Sequence, residues 1–157
     1  MHFLGCGKTT CYLTLKDKLK VLDSDSSTFD KKDFPENYIK HIKENIGKAD
    51  IIFVSSHQVV RNAMKENNIP YSIYYPSKER KKEMLELYKM RGNNDDFIWF
   101  LDKNFDYFID NIDKEEIEGG VKRKLEYEGD FILNETFFDF LVKTKIDPTQ
   151  STAIITL

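Results

Sequence analysis

A chain of 157 residues is long enough for a single domain with a sizeable core. Charged residues make up 32% and the net charge is −3, so the chain lacks the basic excess of a general nucleic-acid binder. A local cationic cleft for a phosphorylated small molecule stays compatible with that balance, and nucleic acid is kept only as an open alternative acceptor. Cys6 and Cys11 fit neither a disulfide framework nor a metal spacing, and no leader-like or membrane-length apolar run is visible. The expected setting is therefore a reducing cytoplasm, with no membrane partner.

The chain opens on Gly5-Cys6-Gly7-Lys8-Thr9-Thr10, the second half of the phosphate-binding pattern G-x-x-x-x-G-K-[ST]. In such a loop consecutive amides form an anion cradle, the lysine reaches the β/γ-phosphates, and the Thr hydroxyl binds Mg²⁺. Counting back, the first glycine of the pattern falls on His2, and the feeding strand is reduced to Met1–Leu4. The expectation is a chain that begins inside its own motif, with its first strand largely missing.

Thr9 to about Lys18 has the spacing of a helix. Lys20-Val21-Leu22 predicts a short strand running into the polar exit Asp23-Ser24-Asp25-Ser26-Ser27. Pro35 suits a helix start, and Tyr38, Ile39 and Ile42 give about Glu36 to Asn45 an apolar stripe, closed by Gly47. Ile51-Ile52-Phe53-Val54 is a continuous apolar run, as expected of a parallel strand covered on both faces, and it ends in Ser55-Ser56-His57. A helix from about Val59 to Glu66 and a strand from Tyr71 to Tyr75 follow. That alternation points to an α/β domain with a parallel sheet.

From Lys78 the character changes. Lys78 to Arg91 predicts a charged helix, Gly92-Asn93-Asn94 a hinge-like turn, and about Asp96 to Ile112 a second helix. The aromatic residues of that second helix, Phe97, Phe100, Phe105 and Phe108 among them, have the spacing of core. Gly119-Gly120 is a turn, Lys124–Tyr127 and Phe131–Leu133 a last strand or hairpin, and Phe137–Val142 a short helix. The expected domain covers 1–143, with 78–112 as a lid-like helical segment. Residues 144–157 carry no clear pattern and are expected to be a loosely attached tail.

Chemistry gathers at four places. Asp23 and Asp25, just past the end of a parallel strand, fall where α/β sheets bind ligands and could hold Mg²⁺ through water or take a proton from a hydroxyl. The competing reading is an Asp/Ser-rich turn. Ser56 and His57 end the best strand, where a Walker B acid is missing; they read as substrate contacts, or His57 as a helix cap. Arg61, a turn later, is a weaker substrate-binding candidate. Of the charges on the helix before Gly92, Arg91 is the candidate for a lid arginine that neutralises charge during transfer.

Gly5-Cys6-Gly7-Lys8-Thr9-Thr10, Val21–Ser27, Ile52–His57 and Tyr88–Asn93 together resemble the P-loop nucleoside and nucleotide kinases. The likeness runs from about Leu4 to Ile112 and is greatest to small adenylate-kinase-like proteins of phage genomes and their bacterial hosts. It implies a three-layer P-loop NTPase-like α/β fold, a parallel sheet with helices on both faces. It also implies ATP with Mg²⁺ as phosphoryl donor and a nucleoside, nucleotide or modified base as acceptor. By that likeness Gly5, Cys6, Gly7, Lys8, Thr9 and Thr10 bind the triphosphate, with Thr9 and Asp25 at the metal. Lys8, Asp25 and Arg91 are then catalytic, and Asp23, Ser56, His57 and Arg61 contact substrate. The alternative is a degenerate or truncated relative without catalysis, which binds nucleotide weakly or serves as an interaction module.

Overall fold

A computed structural model describes residues 19–126 and 152–156, together with 13, 16 and 17. The Gly5–Thr10 motif, the Met1–Leu4 strand, most of the Thr9–Lys18 helix, and the elements expected at 131–133 and 137–142 lie outside the described residues. The remaining elements alternate in chain order: β1 (Val21–Asp23), α1 (Glu36–Asn45), β2 (Ile51–Val54), α2 (Gln58–Glu66), β3 (Ser72–Pro76), α3 (Lys81–Met90), α4 (Asp95–Lys114), β4 (Lys122–Leu125) and β5 (Ala153–Thr156).

The described strands form one five-stranded sheet in the order β1-β2-β5-β3-β4, and every pairing among them is parallel. This agrees with the α/β expectation. Side chains of β2 alternate between two cores, as a period of two requires. Ile51 and Phe53 join Ile73, Tyr75 and Ile155 beneath the α3–α4 pair. Ile52 and Val54 join Ile154 beneath α1 and α2. Helices therefore cover both faces, and the two apolar layers bury β2 and β3 throughout and β5 from Ile154 to Thr156.

Sequence boundaries hold well where local signals are strong. The expected α1 and β2 coincide with the observed elements, because the 3.6-residue stripe and the four-residue apolar run are unambiguous. The α4 helix starts where its polar cap dictates, the Asn94 side chain accepting the Phe97 amide at 2.8 Å. Just before it, Gly92 sits at φ +82°, the left-handed position that glycine adopts at a helix end.

Three expectations need correction. The helix predicted from Lys78 to Arg91 is a 3₁₀ turn over Lys78–Arg80 followed by α3. The strand expected at Lys124–Tyr127 starts two residues earlier, at Lys122. The largest change concerns residues expected in the loose tail: Ala153–Thr156 is the middle strand, paired with β2 on one side and β3 on the other. Four residues carry too little pattern alone, but Ile154 and Ile155 have an apolar layer on each face to fill.

Candidate functional site

Because all strands are parallel, the ends of β1 and β2 open on one edge of the sheet. The Ser24 amide donates to the Phe53 carbonyl at 2.9 Å, extending the ladder one residue past β1. The buried phenol of Tyr38 on α1 then ties the two loops together: it donates to the Ser24 carbonyl and accepts the Ser55 amide, at 2.7 and 3.0 Å. Burial, opposed by the Ser55 hydrogen bond, raises the phenol's pKa, so it stays a neutral donor. The Ser24 hydroxyl lies 2.8 Å from His41 Nε2.

Asp23 and Asp25 are exposed on either side of buried Ser24. The Asp25 carboxylate accepts the Ser27 amide at 2.9 Å and caps the short 3₁₀ turn Ser26–Thr28. That capping bond matches the Asp/Ser-rich turn reading of this stretch. Among the described residues, no group of three or more His, Cys, Asp and Glu side chains is placed to hold a metal.

Beyond β2, Ser55 and Ser56 are buried and His57 sits at the mouth of α2. His57 makes no side-chain cap hydrogen bond; its backbone carbonyl receives the Val60 and Arg61 amides. The imidazole loses water against the pocket wall although one side stays exposed. That desolvation, with nearby positive charge including the Arg61 guanidinium adding to it, lowers its pKa to about 4. The ring is therefore neutral at pH 7.

Arg61 is buried and committed. Its Nε donates to Glu115 at 2.8 Å, and its Nη1 donates to the Ser56 carbonyl. Glu115, just past α4, also accepts the Tyr71 hydroxyl and pairs with Lys65 at 3.2 Å. Burial would push this carboxyl up, but Tyr71, Arg61 and Lys65 outweigh it and hold the pKa below the ordinary value. The guanidinium thus anchors the β2 exit to the end of α4 and its charge is already balanced.

Ser56, His57 and Arg61 come together with Gln58 on one wall of a pocket of about 290 Å³. The opposite wall is α4, through Phe100, Phe108, Asn111 and Ile112. Ser56 Oγ is buried and has no hydrogen-bond partner among the described residues. Asp23, Asp25 and Arg91 do not line this pocket. Arg91 is exposed at the C-cap of α3. The triphosphate candidates Gly5, Cys6, Gly7, Lys8, Thr9 and Thr10 fall outside the described residues.

The α4 wall is the part that sequence reasoning missed. The sequence reading takes Phe100 as core, yet it is 46% exposed, while Ile98, Leu101, Phe105 and Ile109 fill the interior. Twenty residues of helix carry more aromatic side chains than one stripe can bury, and that surplus was the available signal. No protein-family model, curated protein or solved structure matches this chain.

Proposed function

We propose that the protein is a kinase-like phosphotransferase that moves the γ-phosphoryl group of ATP to a small nucleoside-type acceptor. The observation that supports it most is the shared strand edge. The parallel sheet carries Asp23 and Asp25 past β1 and Ser55, Ser56 and His57 past β2, on the edge where open α/β sheets bind ligands. The sequence motif Gly5–Thr10 supplies the phosphate-binding chemistry of the reading.

In this reading Thr9 and Asp25, with Asp23 beside them, would hold Mg²⁺, whose chemistry there would be to neutralise charge on the phosphates. Asp25 accepts the proton of the acceptor hydroxyl, and Lys8 and Arg91 steady the terminal phosphate. The buried pair of Arg61 and Glu115 contributes position rather than charge, since it fixes the loop that presents Ser56 and His57.

One observation favours a second reading, a phosphate-loop relative without catalysis. Among the described strands the middle position is taken by Ala153–Thr156, which carries no phosphate-loop motif. Calorimetric titration of Mg·ATP separates the two. The kinase reading expects saturable binding that is lost in Lys8→Ala, together with ADP release that depends on added acceptor. Absence of binding by the unmodified chain would favour the second reading.

A further inference from the structure

We propose that the pocket between the β2 exit and α4 receives the uncharged heteroaromatic ring of the acceptor, with Phe100, Phe108 and Asn111 as its specificity-determining residues. The inference rests on the nucleoside-type acceptor proposed above and identifies which part of that molecule this pocket takes.

Size comes first. A volume of about 290 Å³ lies just under the roughly 300–1,000 Å³ of small-molecule sites, room for a ring and little more. Charge comes second. Among the described residues, Arg61 is the only formally charged one lining the pocket, and Glu115 balances it at 2.8 Å. His57 is neutral at pH 7, so it adds no charge that would reward a phosphate. An anion would have to compete with a buried carboxylate for a guanidinium that is already engaged.

The walls then select a planar group. Phe100 and Phe108 stand 6.1 Å apart, centroid to centroid, with planes inclined at 52°, and both line the pocket. Aromatic faces take flat rings in offset or edge contact. Gln58 and Asn111 each provide both donors and acceptors, the mixed set that a heterocyclic edge requires. Ser56 completes the case. It lines the same wall and its buried hydroxyl has no hydrogen-bond partner among the described residues, so a ring nitrogen or carbonyl brought against it would supply the missing bond.

Calorimetric titration of the full chain with adenosine, guanosine, cytidine and thymidine, without ATP, tests this. At least one nucleoside should bind saturably, and inorganic phosphate should not compete. Phe108→Ala should weaken that binding roughly 5- to 150-fold, the worth of one base–aromatic stack. Ser56→Ala should weaken it roughly tenfold without lowering the melting temperature of the ligand-free protein, because its hydroxyl has no bond to lose. Ser56→Ala and Asn111→Ala keep the test open should Phe108→Ala fail to fold.

The proposal is overturned if no nucleoside binds at millimolar concentration, if phosphate displaces the bound nucleoside, or if folded variants bind as the parent does. Mg·ATP binding without nucleoside binding sinks the ring pocket and leaves the kinase reading standing. Nucleoside binding without Mg·ATP binding does the reverse.

Discussion

The Tyr38 hydroxyl donates to the backbone carbonyl of Ser24 at 2.7 Å, and so fixes the exit of β1 from a helix that lies beneath the sheet. The same oxygen accepts the Ser55 amide, which makes one phenol the shared fastening of both loops at the candidate edge. Tyr38→Phe should therefore leave two buried backbone groups without partners. The expected loss is about 1–3 kcal/mol per unsatisfied group, read from the denaturation midpoint. An unchanged midpoint would mean that the loops are held by something else.

Removing Glu115 should cost more than a surface charge does. The Arg61–Glu115 pair is almost fully buried on both sides, and breaking such a pair from one side costs about 3–5 kcal/mol. Glu115→Ala leaves Arg61 with the Ser56 carbonyl alone, whereas Lys40→Ala, which touches only an exposed i,i+4 pair, should shift stability by less than about 0.5 kcal/mol. Equal effects from the two substitutions would contradict the buried-pair account.

The Glu115 carboxyl has a lowered pKa in the folded state, so its contribution is present above the unfolded value, about 4.3, and is lost as pH falls through the folded one. His57 acts at higher pH. Its pKa drops from 6.5 to about 4, so the unfolded chain binds a proton first and stability declines as pH falls from 6.5 toward 4. His57→Gln should flatten the decline over that window and leave the more acidic limb. Urea denaturation at half-unit pH steps checks it, and parallel curves would refute it.

If Ala153–Thr156 is the middle strand, the amides of Ile154 and Ile155 should be among the most slowly exchanging in the chain. Ile155→Ala should cost about 2–5 kcal/mol, the range for large-to-small changes in a packed core. Fast exchange at both amides, with a neutral substitution, would restore the expectation of a loose tail.

Local chemistry alone determined much of this protein. The period of Tyr38, Ile39 and Ile42, the apolar run of Ile51–Val54 and the Asn94 cap each act within about one or two helical turns, so neighbouring residues suffice to specify them. The same locality made Ser56 and His57 legible as the polar end of a buried strand. What remained was decided by partners far along the chain. Arg61 meets Glu115 across 54 positions, and β5 finds its slot between strands from the middle of the sequence. Burial of a given aromatic on α4 depends on how much sheet lies beneath it, which sent Leu101 inward and left Phe100 at a pocket mouth. Short-range spacing carries no record of those distances; only closing the sheet and its two helical layers supplies them.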